Sequence, residues 1–301
     1  MNELVSFRGA EIPKSEAEIL EELEKIIGKT IPFFDVFGVN IVGVQIEGDD
    51  VVGLALYDCQ LKTLPESIGN LTSLKKLYLI KNELASLPKS IHKLDSLEYL
   101  CLIENKFKSL PKSINTLKSL QILDLDYNHL ETLPDSINNL TSLIELNISH
   151  NNLTILPDSI SNLPSLKSLN LSFNHLSNLP ESIGELKSLE KLDLRGNPLY
   201  ILPESMNKLK SLRKLRAHKK IFKKNPDFRN VKYKSSHRTG GYVLGTVFII
   251  IGISFFVLCF IIFGILIGDL LIGILIGAIL GSIFALLGTY LINEMRKNEF
   301  P

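Results

Sequence analysis

Between residues 51 and 215 the apolar positions fall into one unit that returns every 23 residues. A Leu-Pro pair marks it seven times, at Leu64, Leu87, Leu110, Leu133, Leu156, Leu179 and Leu202. Between markers runs the pattern Leu71-x-x-Leu74-x-x-Leu77-x-Leu79-x-x-Asn82-x-Leu84. A fixed period of this size, kept without insertion or deletion, marks a solenoid in which each unit buries its apolar face against its neighbours. The alternation in Leu77-Tyr78-Leu79 predicts a short strand, with the leucines inward and Tyr78 outward. One such strand per unit stacks into a parallel sheet lining a concave face. On the opposite side Pro-x-Ser-Ile, from Pro65 to Ile68 and its copies, starts a helical turn at the position where a missing N–H costs nothing. An asparagine returns at Asn82, Asn105, Asn128, Asn151, Asn174 and Asn197. A buried amide there can bond backbone groups left open where the chain leaves the sheet. The first copy carries Cys59 in that slot.

The flanks change period. Ser15-x-x-Glu18 has the form of a capping box, and Ile19, Leu20, Leu23, Ile26 and Ile27 make one stripe behind it. They predict a helix from about Glu16 to Ile27, closed by Gly28. Two β-rich runs follow, Asn40–Ile46 and Val51–Leu56, around Gly48-Asp49-Asp50, and the first can add to the edge of the first repeat strand. Residues 1–50 therefore read as an N-terminal cap on a solenoid end that would otherwise expose its core. After Leu215 the pattern fails, with Ala217 in a leucine slot. Residues 219–241 read as a closing segment and basic linker.

Residues 242–292 are almost wholly apolar, with one charge at Asp269. They divide into spans 242–267 and 270–292. At about 1.5 Å per residue each reaches the ~30 Å of a bilayer's hydrocarbon core. They predict a transmembrane hairpin turning at Gly268-Asp269, with a short tail at 293–301. Small residues four apart, at Gly273, Gly277 and Gly281, suit close helix packing. The alternative role is therefore a homo-oligomer through these helices, acting in transport or membrane shaping under control of the repeats.

Globally the chain is nearly neutral, at +1 over 301 residues, but the charge is uneven. Residues 208–238 hold thirteen Lys and Arg against the single acid Asp227. Followed directly by the apolar spans, this run suits anionic headgroups, with Lys219, Lys220, Lys223, Lys224, Arg229, Lys232 and Lys234 as the contacts, and not nucleic acid. Cations flank both ends of the hairpin, and the first 27 residues lack a secretory leader. The positive-inside rule then places the repeats and both termini in the cytoplasm of an integral membrane protein. Cys59, Cys101 and Cys259 lie too far apart to suggest a disulfide framework.

The unit resembles the leucine-rich repeat. Its Leu-Pro-x-Ser-Ile signature is similar to that of the Ras-binding and Ras-group-related cytoplasmic scaffolds. The resemblance implies an α/β solenoid (a horseshoe with the parallel sheet on its concave face) and a protein partner, a small GTPase among the candidates. To this the sequence adds the α-helical transmembrane hairpin.

On the concave face the outward columns place Tyr57, Tyr78, Ile80, Tyr99, Ile103 and Ile122 together, with Tyr127 beside them. Exposed aromatic and aliphatic clusters of this kind supply interface hot spots. The middle of the face is rich in acids and amides, and the far end is basic. Gly28-Lys29-Thr30 resembles the end of a phosphate-binding loop, but residue 23 is leucine where glycine is needed, and the triplet ends a helix. The six histidines lack metal-ligand spacing. No nucleophile–base pairing is visible. The expectation is a membrane-anchored scaffold without enzymatic activity, metal or cofactor.

Overall fold

The computed structural model describes residues 3–34 and 40–224. The chain divides into two units, 1–236 and 237–301. The predicted hairpin, 242–292, lies outside the described residues, as do Arg229, Lys232 and Lys234. Among the described residues no helix is long and apolar enough to cross a membrane.

Two short strands, β1 (Leu4–Phe7) and β2 (Ala10–Pro13), open the chain as an antiparallel hairpin that the sequence pattern did not reveal. Helix α1 (Lys14–Ile27) follows. Its Ala17, Ile19, Leu20, Leu23 and Ile27 are buried in the same core as the repeat leucines. Gly28 ends it at φ 64°, donating its N–H to the Glu24 carbonyl over 2.9 Å. The start differs from expectation. The helix begins at Lys14 behind Pro13, with no side-chain cap, so Ser15 lies inside it and the capping box goes unused. Glu16 is buried instead. Its carboxylate accepts the Val51 N–H at 2.8 Å, and burial raises its pKa.

Among the described residues the main sheet has nine strands. Its edge, β3 (Val42–Glu47), runs antiparallel to β4 (Asp50–Leu56), turning at Gly48, whose φ is 64°. Seven parallel strands follow, one per repeat. They are β5 (Lys76–Tyr78), β6 (Tyr99–Cys101), β7 (Ile122–Asp124), β8 (Glu145–Asn147), β9 (Ser168–Asn170), β10 (Lys191–Asp193) and β11 (Lys214–Arg216). Register follows the period directly: Leu54 pairs with Leu77, Leu77 with Leu100, Leu100 with Leu123, each 23 residues on. Every central leucine is thus stacked on its copies, and each is at most 1% exposed. Full burial of a leucine is worth about 2 kcal/mol. The continuous leucine column therefore holds elements far too short to be stable alone.

Across the core each Pro-x-Ser-Ile segment, and its last copy with Met206 in the isoleucine slot, leads into a five-residue 3₁₀ turn, from Glu66–Asn70 to Glu204–Lys208. At Gly69 the turns approach so closely that a Cβ would sit 2.3 Å from the Ser90 carbonyl oxygen. After β11 a short helix, α2 (Lys219–Lys224), turns Ile221 and Phe222 into the end of the core.

Candidate protein-interaction site

Side chains at both ends of each repeat strand point away from the leucine core. On the early strands they form a second apolar cluster. Ala55, Tyr78, Ile80 and Cys101 are buried in it, and Ile41, Tyr57, Tyr99 and Ile103 pack around them. The Tyr78 and Tyr99 rings lie 4.9 Å apart, tilted by 37°. Ile122 follows on β7, half-buried. Apart from Tyr127, the predicted residues are therefore together, but not uniformly exposed. Tyr78 and Ile80 are only 8% and 5% exposed, so they form the floor of the patch. The accessible part is Tyr57, Tyr99, Ile103 and Ile122. The reason is spacing: neighbouring strands run under 5 Å apart, so large outward side chains on adjacent strands cover one another. Burial pushes the Cys101 thiol up to about 12 and raises the phenols of Tyr78 and Tyr99. That cysteine is an uncharged, unreactive spacer.

Tyr127 belongs elsewhere. It lies one residue before the ladder asparagine Asn128, in the left-handed backbone region at φ 53°. The same position in other repeats holds Lys81, Glu104, His150 and Phe173, at φ between 49° and 56°, and Gly196 at 69°. This backbone turn carries the chain off the sheet and swings the next residue, the asparagine, into the core. Non-glycine residues seldom adopt it, and their persistence here reflects surrounding structure that leaves no alternative. One consequence is a ridge of stacked rings. His150 lies between Tyr127, at 4.0 Å, and Phe173, at 4.4 Å, nearly parallel to both. Tyr127 is 52% exposed at the open end of this stack. At its other end Gly196 leaves room for the Phe173 ring, which a Cβ would meet at 2.6 Å.

Between patch and stack lies a polar network. Asp124 accepts the Asn147 amide at 2.9 Å and the Asp126 N–H at 3.1 Å. Asp126 accepts from Ser149 Oγ at 2.7 Å and from His150 Nδ1 at 2.9 Å. An ionised carboxylate only accepts, so Nδ1 carries the proton. Ser149 in turn accepts from Asn170, and Ser172 donates to Asn170. Burial, reinforced by Asp126 and Glu145, raises the Asp124 carboxyl to about 6, against the hydrogen bonds from Asp126 and Asn147. Beyond, Arg195 folds back bidentately on Asp193, with Arg216 at 3.4 Å. The basic end of the face is partly neutralised from within.

The recurring asparagines form the scaffold beneath. Asn128 accepts the Phe107 N–H at 3.1 Å and donates to the Leu102 carbonyl at 2.8 Å. Asn105, Asn151, Asn174 and Asn197 repeat this pattern, each bonding the backbone of the preceding repeat. Asn82 accepts from both Cys59 and Leu61 N–H groups. Of the cationic residues, Lys219, Lys220 and Lys224 lie on α2, and Lys223 is part of the same helix. At the other end, Lys29 donates to the Asp58 carbonyl at 3.3 Å. Among the described residues no three His, Cys, Asp or Glu are placed to hold a metal ion.

A family model described as "Leucine-rich repeat region" matches residues 91–175 and 158–232. This chain carries a leucine-rich repeat region. Among solved structures, a leucine-rich repeat protein of Leptospira interrogans is 38% identical, with a TM-score of 0.53 over 55% of this chain and 43% of its own. The PEPR1-AtPEP1 structure is 33% identical, with a TM-score of 0.51 over 58% of this chain and 26% of the other. A TDR receptor gives 27% identity and a TM-score of 0.54, over 62% and 34% of the two chains. The repeat protein thus spans less than half the length of each of these structures. No curated protein matches it.

Proposed function

We propose that this leucine-rich repeat chain is a membrane-tethered scaffold that recruits a protein through the outward face of its sheet, without a catalytic step of its own. One observation carries the recruitment. The half-exposed cluster of Tyr57, Tyr99, Ile103 and Ile122 lies beside the Asp124–Asp126–His150 network, at outward positions where later repeats carry Glu, Asp, Ser and Lys. The repeat tolerates those polar residues, so the fold does not demand the apolar ones. An apolar floor with a polar border is the arrangement of an interface hot spot. A small GTPase is a candidate partner, supported by the Leu-Pro-x-Ser-Ile resemblance. The tether is supported by the two apolar spans at 242–267 and 270–292 and by their cationic flanks. Its benefit is local concentration, since a confined partner rebinds at a weak site.

Proximity labelling from the repeats in native cells identifies neighbours, and the recovered protein is then titrated against wild type and a Tyr99→Ser/Ile103→Ser double variant. Tyr78 is left in place because its burial makes it part of the fold. The variant is expected to bind at least about tenfold more weakly, the effect of losing one hot-spot residue. Equal affinity would reject the face as the recruiting surface. Release of the protein from membranes by alkaline carbonate would reject the tether.

A further inference from the structure

Each repeat has a two-residue tip between the buried apolar residue that follows its asparagine and the leucine of Leu-Pro. In chain order the tips read Lys62-Thr63, Ala85-Ser86, Lys108-Ser109, Glu131-Thr132, Thr154-Ile155 and Ser177-Asn178, all small or polar apart from Ile155. The last is Tyr200-Ile201. Its two side chains are 69% and 59% exposed, while Leu199 and Leu202 on either side are buried. The earlier copies show that the tip needs no apolar pair, so the fold does not account for this one.

The neighbourhood is specific. Helix α2 reads Lys-Lys-Ile-Phe-Lys-Lys, with its apolar pair turned into the core. Lys224 Nζ lies 3.2 Å from the centre of the Tyr200 ring, a cation–π contact, and together with Lys220 it lowers the phenol's pKa. An exposed tyrosine thus sits against a cationic helix with an exposed isoleucine next to it in the chain, and the sequence runs on through a basic stretch to the apolar span beginning at residue 242. Nucleic acid or an acidic protein would use the lysines and leave the isoleucine without a partner. An anionic bilayer surface uses all of them: lysines reach the phosphates, tyrosine settles at headgroup depth and the aliphatic chain enters the acyl boundary.

We infer that Tyr200, Ile201, Lys219, Lys220 and Lys224 form a docking surface for an anionic lipid bilayer, orienting the repeats on the membrane. This deepens the tethering half of the proposed function and rests on it.

The chain contains no tryptophan, so Tyr200→Trp in the full-length protein introduces a unique fluorophore that preserves the contact with Lys224. It is reconstituted into vesicles of phosphatidylcholine alone or with phosphatidylserine, each with brominated acyl chains as quencher. The expected result is a blue shift and loss of intensity in the anionic vesicles only. Both should disappear in a Lys219→Glu/Lys220→Glu background, and Tyr127→Trp should show neither. Unquenched, red emission from the Tyr200→Trp protein in anionic vesicles would overturn the inference. So would equal quenching in neutral vesicles, or a shift with duplex nucleic acid but none with vesicles. Carbonate extraction of the same preparation separates the two failures. A retained protein whose fluorophore stays unquenched keeps its tether and lacks the docking surface, whereas a released protein has lost the tether.

Discussion

Asp124→Asn tests the electrostatics of the polar network most directly. The wild-type carboxyl is held at about 6 in the folded protein against an ordinary value of 3.8, mainly by burial. A raised acid contributes stability below its unfolded pKa and loses it as pH rises through the folded one. About two pKa units correspond to roughly 3 kcal/mol, an upper figure for the penalty carried by the charged group near neutral pH. Asparagine removes the charge and keeps the essential bond. Asn147 and Asn170 occupy the same strand position one and two repeats on, accepting the N–H groups of Ser149 and Ser172 at 3.2 and 3.1 Å. In wild type Asp124 accepts Asp126 N–H at 3.1 Å in the same way. Urea unfolding of both proteins, followed by far-UV circular dichroism from about pH 4 to pH 8, isolates this group from the other carboxylates. The variant should match wild type at the acid end and exceed it by about 1–3 kcal/mol at the alkaline end, the difference growing from the ordinary value of 3.8 and levelling off above about 6. Parallel stability curves, or a variant weaker than wild type at pH 8, would refute the assignment.

Two further substitutions probe the frame. Asn128→Ala strands the Phe107 N–H in the core, while the Leu102 carbonyl keeps the Asn105 amide at 3.1 Å, and should cost about 1–3 kcal/mol in the unfolding free energy. Gly69→Ala drives a Cβ against the Ser90 carbonyl oxygen at 2.3 Å, and should cost about 1–3 kcal/mol. Asn138→Ala, at the matching turn position three repeats on from Gly69, should be nearly neutral by thermal melting.

Much of the architecture is readable from spacing alone. A 23-residue period that places leucine on leucine also places strand on strand, because any other register would break the leucine column. The asparagine slots follow for the same reason: a buried amide flanked by leucines has only backbone to bond. Local signals at the ends of elements were weaker. Ser15-x-x-Glu18 matches a capping box, yet packing of Glu16 under Val51 starts the helix earlier and leaves the box inside it. The β1–β2 hairpin lacks any strong alternation, and its turn at Arg8-Gly9 is carried by positive φ at both residues.

By itself the sequence determined the repeat, its register and the direction in which each strand residue points, since these follow from a period of two nested in a period of 23. Only the tertiary structure decided how far each outward side chain reaches solvent. Tyr78 and Ile80 are hidden by residues one repeat away, and no local pattern records the bulk of a neighbour across the sheet. The ring stack is of the same kind. Tyr127, His150 and Phe173 are ordinary residues at the fixed spacing, and they meet because each is forced into a left-handed turn that aims all three side chains along one ridge.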